Sequence, residues 1–435
     1  MLTKEMENFL TEHENEALAL LKELAQIPAP SGKEAQRARF CHDWLQKQSA
    51  EGVYIDDALN VIYPIGFEGS NTPLTAHKNS PAALSADPQK TGALPDTQTC
   101  DTPAGTQLFE RSAEQPPLEV FAAHLDIVFP DEEPLPLSER DGRLYCPGIG
   151  DDTACVVCLL LAAKFIARCE KERRREAWQR LRSAEAPALL LACNTGEEGL
   201  GNLRGVRELC RIYGSQMQSF CSFDSTLSHI VNRAVGSRRF RLSVDTKGGH
   251  SFRDFGADNA IEKLSGIIHQ LYRLPLGGRT TCNVGTISGG TTVNSIAQHA
   301  EMLCEFRSED RACLEHAVQQ FLGLLERAHR NSKPGTQISL DCLGERPCGG
   351  TVDPERQRKL TSLGIAAIRA VTGKQPALGS GSTDCNLPLS LGIPSICIGC
   401  YEGRGAHTRE EYIETSSLKK GCRAAFEMIF GARRS

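Results

Sequence analysis

Four short apolar runs, each spilling into a loop that carries carboxylates or an imidazole, constrain this chain more than any other feature. The run 118–123 ends at His124, and 188–193 ends just before a loop containing Glu197 and Glu198. The run 219–223 leads into Asp224, and 395–400 precedes a glycine-rich loop ending at His407. Helical segments at 153–169, 203–212 and 354–371 alternate with these runs. Such alternation predicts a parallel α/β sheet covered on both faces.

Between 236 and 346 the rhythm changes. The pattern predicts strand 238–245, helix 258–272, strands 281–288 and 298–307, helix 310–328 and strand 336–342. The helices show apolar faces Ile261/Leu264/Ile268/Leu271 and Cys313/Ala317/Phe321/Leu324, and one strand alternates Ala300, Met302, Cys304 and Phe306 with polar neighbours. The order β-α-β-β-α-β is the split ferredoxin-like unit. The expected fold is therefore α/β: a mixed, largely parallel sheet domain over 1–235 and 347–435, with an α+β domain inserted at 236–346. Within the first part, 66–117 is rich in Ser, Thr, Pro, Gly, Asn and Gln and reads as a mobile surface insertion. Ser31-Gly32-Lys33-Glu34 reads as a capping box opening a helix with Ala38, Cys41 and Leu45 on one face. The N-terminal segment reads as a helix with Leu10, Ala17, Leu21 and Leu24 on one side.

Composition narrows the class. Lys+Arg 49 against Asp+Glu 54 gives a net charge of −5, so no overall basic field recruits nucleic acid or an anionic membrane. The longest uncharged apolar run, 154–163, is about half a membrane span, and no transmembrane helix is expected. The N-terminus is acidic where a signal peptide would be basic, which predicts a cytoplasmic protein. The 18 cysteines then read as reduced core thiols, and the pairs Cys155/Cys158 and Cys397/Cys400 lack the flanking partners of a zinc ribbon. The Arg-rich stretch 171–182 is punctuated by Glu172 and Glu176 and reads as a solvated helix face.

Taken singly, each candidate residue has an ordinary reading. Asp151 and Asp152 would cap a helix, Asp224 would be a turn residue and His407 a surface histidine. Their shared position says more. In an open α/β sheet, ligands collect beyond the carboxyl ends of the strands. Two imidazoles and three or four carboxylates converging there would repel one another if left empty. Two divalent cations about 3.5–4 Å apart would relieve that repulsion and suit the mixed N/O donors of zinc. On this reading His124 binds one ion, while Asp126 holds its other ring nitrogen and fixes the tautomer. Of Glu197 and Glu198, one binds metal and its neighbour takes a proton from water.

The motifs AHLDIV, PGIGDDTA, NTGEEGLG, SFDST and GAHTREE, in this order, together with KGGHSFRDFG and GGTTVNSIA, resemble the dizinc hydrolase family of peptidase T, carboxypeptidase G, aminoacylase and acetylornithine deacetylase. The similarity is closest to the tripeptidase-like branch and spans nearly the whole chain outside 66–117. It implies that the inserted domain is a lid and dimerisation domain, and that the protein is a homodimer. It implies His124 and Asp224 on one Zn2+, Glu198 and His407 on the other, and Asp151 bridging, with Co2+ or Mn2+ as substitutes. Glu197 would be general base and then acid, with Asp126 supporting His124. His250 would polarise the scissile carbonyl or bind a carboxylate, Asn294 would bind substrate, and Arg307 would meet a terminal carboxylate. For these last three, a strand-turn histidine, a turn amide and a surface ion pair are the alternatives. Many relatives carry lysine where this chain has Thr153, which bears on subfamily and specificity. The implied activity is metal-dependent cleavage of short peptides. The alternatives are an N-acyl-amino-acid deacylase of the same family and a catalytically inactive metal-binding protein.

Overall fold

A computed structural model describes residues 2–66, 117–172 and 186–431. It divides into two compact units, one formed by 235–348 and the other by the rest of the described chain. The stretch read as a mobile insertion, and most of the Arg-rich stretch, lie outside the described residues.

The first unit is built on an eight-stranded sheet whose spatial order is Tyr54–Ile55, Val61–Ile65, Ala188–Asn194, Leu118–His124, Met217–Phe223, Ser395–Ile398, His229–Ala234 and Ala377–Gly381. The three central strands and Ser395–Ile398 run parallel. The Tyr54–Ile55 and Val61–Ile65 strands, and the pairing of Ser395–Ile398 with His229–Ala234, are antiparallel. The sheet is thus mixed and largely parallel. Ala188–Asn194 is buried at every residue because the sheet is covered on both faces. Leu189, Leu191, Phe121 and Ala123 face one apolar cluster, with the helices Cys155–Glu172 and Ser417–Gly431. Leu190, Ala192, Val120 and Ala122 face the other, with Val206, Leu209 and Tyr213 of the helix Arg204–Tyr213. The register sets His124 beside Asn194, so the ends of neighbouring strands lie together.

Two local expectations change. The N-terminal helix breaks at His13 into Lys4–Glu12 and Glu14–Gln26, and the His13 ring stacks on Phe9 at 4.0 Å. The break lets both Met6/Phe9/Leu10 and Leu20/Leu21/Leu24 be buried. Ser31 is not a helix cap: the helix Ala35–Lys47 starts at Glu34 with no side-chain cap, and Glu34 reaches back to the Gly32 N–H instead. The cysteines of both CxxC pairs are buried free thiols, and Cys342 is disulfide-bonded.

The second unit has a four-stranded antiparallel sheet in the order Thr281–Gly289, His299–Ser308, Gly236–Asp245, Gln337–Arg346. The helices Ala260–Leu271 and Arg311–Arg330 pack on it. Asn259 and Asp310 cap those helices, and Ala300, Met302, Cys304 and Phe306 face the shared core. This is the ferredoxin-like α+β arrangement expected from the sequence.

Candidate metal centre

Six of the expected residues, His124, Asp151, Glu197, Glu198, Asp224 and His407, lie within reach of one another around the carboxyl ends of the central strands. His124 closes its strand and is 1% exposed. Its Nδ1–H donates to the main-chain oxygen of Asp126 at 3.0 Å, leaving Nε2 facing Asp151 Oδ1 at 3.1 Å. His407, half-exposed in its loop, points Nε2 at the other oxygen of Asp151, Oδ2, at 3.1 Å and at Glu198 Oε1 at 3.0 Å. Donor atoms of His124, Asp151 and Asp224 lie within 4.8 Å of one another, as do those of Asp151, Glu198 and His407, and of His124, Glu197 and Glu198. Asp151 therefore belongs to two donor groups and presents a different oxygen to each imidazole.

The Asp126 carboxylate does not do what spacing suggested. Its Oδ1 is 3.6 Å from His124 Nδ1, beyond a hydrogen bond, and the residue orients the ring through its carbonyl. The carboxylate instead accepts the backbone N–H groups of Glu197 and Glu198 at 3.0 and 2.8 Å, and the Ser31 hydroxyl at 2.6 Å. The Glu198 carbonyl lies 3.0 Å from the same hydroxyl, whose single proton the two oxygens share. Ser31 thus belongs to the support of this site, a role that its capping-box context disguised.

Charge in this cluster is unbalanced without a cation. Burial of Asp224, followed by the charge of Asp151, pushes its pKa up to about 7. Burial opposes protonation of His124, but Asp152, Asp126 and Asp151 outweigh it and raise the pKa well above the ordinary histidine value. Hydrogen bonds to Asp151 and Glu198 raise His407 to about 11. Burial acts to raise the Asp126 pKa as well, but His124, Ser31 and the Glu198 N–H draw it down to about 2. Because His124 Nδ1 is already a donor, its contact with Asp151 is a hydrogen bond only if the ring is doubly protonated. A divalent ion held by these residues would take the place of that proton. The N/O donor set and the paired oxygens of Asp151 fit two such ions.

The loop carrying Asp151 is gripped by Glu411, a residue the motif reading passed over. Its carboxylate accepts N–H groups from Gly148 at 2.7 Å, and from Gly150 and Asp151 at 2.8 Å each. Gly148 has φ +75°, and a Cβ on Gly150 would lie 2.5 Å from the Tyr401 ring, so side chains are excluded from both positions. Burial pushes Glu411 up to about 7 against the pull of these N–H groups. Asp384, at the end of another strand, accepts from Asn194 Nδ2 at 2.8 Å and adds to the field on Asp224. It follows the strand Ala377–Gly381, which runs antiparallel to the central strands, so the carboxyl-end rule does not point to it. Thr153, at the lysine position of many relatives, accepts from buried Arg37 at 3.1 Å and donates to the Gly148 carbonyl at 2.5 Å.

His250, Asn294 and Arg307 belong to the second unit. His250 pairs with Ser295 in a short ribbon, and the Ser251 N–H donates to the Asn294 carbonyl at 3.1 Å, so His250 and Asn294 are neighbours. His250 Nδ1 accepts the N–H groups of Phe252 and Arg253 at 3.2 and 3.3 Å, which leaves the proton on Nε2. Arg307 is paired with Glu305 at 2.8 Å.

Residues 232–333 match the family model of the peptidase dimerisation domain. In sequence the chain is similar to the succinyl-diaminopimelate desuccinylase of Bordetella petrii, 27% identical, with 72% of this chain and 82% of the relative covered. It is also similar to the acetylornithine deacetylase of Myxococcus xanthus, 25% identical, with 65% and 71% covered. In structure it resembles a tripeptidase from Staphylococcus aureus, with a TM-score of 0.65, 19% identity, and 97% of this chain and 99% of that one covered. The aminopeptidase PepT of Bacillus cereus gives a TM-score of 0.63 at 19% identity, with 96% and 98% covered. Fold and matches together define a metal-dependent peptidase or amidohydrolase class. Within that class, residues 232–333 match the dimerisation domain of the M20 peptidases, and the chain as a whole resembles that family in sequence and fold. Among the described residues, no helix is long and apolar enough to cross a membrane.

Proposed function

We propose that this protein hydrolyses the amide bonds of short peptides, as a di- or tripeptidase or aminopeptidase, with a pair of Zn2+ ions for which Co2+ or Mn2+ substitutes. The observation that carries this reading is Asp151, whose two oxygens each meet the imidazole of a different donor group at 3.1 Å. His124 and Asp224 would hold one ion, Glu198 and His407 the other, and Asp151 both. When bound, the ions supply Lewis acidity that acidifies water and polarises a carbonyl. Glu197 takes the proton as the nucleophile forms and later hands it to the leaving amine nitrogen. Asp126 fixes the backbone of both glutamates through their N–H groups. His250, with Nδ1 occupied, offers Nε2–H to the developing oxyanion. Asn294 binds substrate, and Arg307 meets a terminal carboxylate by exchanging Glu305 for it. Residues 236–346 serve as the lid and dimerisation domain of a cytoplasmic homodimer.

The similarity of the motif set to the tripeptidase-like branch supports a peptide substrate. The similarity to a desuccinylase and a deacetylase supports a second reading, removal of an acyl group from an N-acyl amino acid. Both use the same base and ions. A panel of di- and tripeptides beside N-acetyl and N-succinyl amino acids, assayed with Zn2+, Co2+ and Mn2+, separates them. Turnover confined to acyl amino acids overturns the peptidase reading, and turnover of neither class overturns both.

A further inference from the structure

Arg37 lies on the helix Ala35–Lys47 with 1% exposure, and its hydrogen bonds all end on neutral oxygens. Nε donates to the Ile27 carbonyl at 2.7 Å, and Nη2 reaches the Ala25 carbonyl at 3.5 Å. Nη1 donates both to the Leu125 carbonyl at 3.0 Å and to Thr153 Oγ1 at 3.1 Å. Leu125 stands between His124 and Asp126, and Thr153 follows Asp151 and Asp152. One nitrogen therefore joins the two segments that carry His124 and Asp151. Thr153 extends the tie by donating to Gly148, the residue whose N–H is held from the other side by Glu411.

A buried cation whose acceptors are all neutral carries a desolvation cost that its hydrogen bonds to these oxygens must offset. Burial lowers the Arg37 pKa to about 10, so the group stays charged at neutral pH. Its field falls on Asp126 and Glu411, the two carboxylates that grip the backbone at 197–198 and 148–151. A planar guanidinium has the fixed fork of donors needed to span two segments at once.

We propose that Arg37 is a positioning residue of the metal centre, setting the distance between His124 and Asp151 by tying Leu125 and Thr153 to one rigid group. The inference rests on the metal-centre reading above, and its test uses Co2+ alone as the probe. Arg37→Met keeps the volume and removes the tie. Titration with Co2+, followed by its visible d–d absorption, is expected to show affinity lower by about 10- to 100-fold and an altered band shape. The metal-free protein should melt at a lower temperature, because buried oxygens of residues 27, 125 and 153 lose their donor; the altered Co2+ spectrum, with kcat falling while KM stays, is the readout that a merely structural role would not move. A folded Arg37→Met protein with parental Co2+ affinity and spectrum overturns the proposal. Should Arg37→Met fail to fold, Thr153→Val removes only the hydroxyl, and Co2+ affinity lower by about 3-fold or more is expected; unchanged affinity overturns the proposal. A parent protein that binds no Co2+ contradicts the metal centre itself. A parent that binds Co2+ yet cleaves no amide contradicts the proposed activity and leaves Arg37 to be judged on the titration.

Discussion

Glu411→Gln asks whether the Asp151 loop needs an anion behind it. In the native site Oε1 accepts from Gly150 and Asp151, and Oε2 from Gly148. An amide can keep the Gly150 and Asp151 bonds through its oxygen, but its NH2 then faces the Gly148 N–H. That leaves one buried donor without an acceptor, at a cost of roughly 1–3 kcal/mol. The two surviving bonds fall to about half their charge-assisted strength. Against these losses, the amide escapes the burial penalty that pushes Glu411 up to about 7. The balance is a loss of about 2–3 kcal/mol. At roughly 2–4 °C per kcal/mol for a large domain, the melting temperature should fall by about 4–12 °C. Because the strain falls on the loop bearing Asp151, Zn2+ affinity should drop by about 10- to 100-fold. Calorimetry on metal-free protein and competition against a chromophoric chelator measure the two effects separately. A melting temperature within about 1 °C of the parent, with affinity within about two-fold, would show that the loop does not depend on the Glu411 carboxylate.

Four further outcomes are expected. Glu197→Gln should retain parental metal content while kcat falls by about 10²- to 10⁴-fold, and undiminished turnover would remove Glu197 from the role of base. Zn2+ uptake should release protons and tighten as pH rises, because His407, raised to about 11, and His124 are protonated at neutral pH in the metal-free protein; calorimetry in buffers of different ionisation enthalpy checks this, and binding without proton release contradicts it. In that metal-free protein the stabilisation from His407 is complete below pH about 6.5 and is lost as pH climbs through about 11. His250→Ala should lower kcat by about 10²-fold or more with metal content intact, and a parental kcat would exclude His250 from holding the oxyanion.

The parts of this protein legible in its sequence are those that repeat with a period or sit at an edge. Apolar runs such as 188–193 mark strands buried on both faces, and the polar residues immediately after them land together because parallel strands end at one side of the sheet. Alternation along 299–308 gave the inward residues of the second unit for the same reason. Support by hydrogen bonds to the backbone leaves no such pattern. Glu411 reads as half of an exposed acidic pair, yet it is buried against three N–H groups. Arg37 reads as a polar helix residue beside the apolar face of Ala38, and nothing in its neighbourhood announces acceptors from 27, 125 and 153. Ser31 fits a local motif well, and a contact 95 residues away decides its role. Asp126 shows both sides of the matter: its partnership with His124 follows from spacing, but the carbonyl makes the bond and the carboxylate serves the glutamates.

In the proposed centre Asp151 would join two cation sites, built from His124 and Asp224 on one side and Glu198 and His407 on the other. Anomalous diffraction at the zinc edge from metal-replete crystals tests it directly. Two peaks per chain flanking the Asp151 carboxylate, one beside each imidazole, are the predicted result. A single peak, or peaks away from these five side chains, would contradict the account.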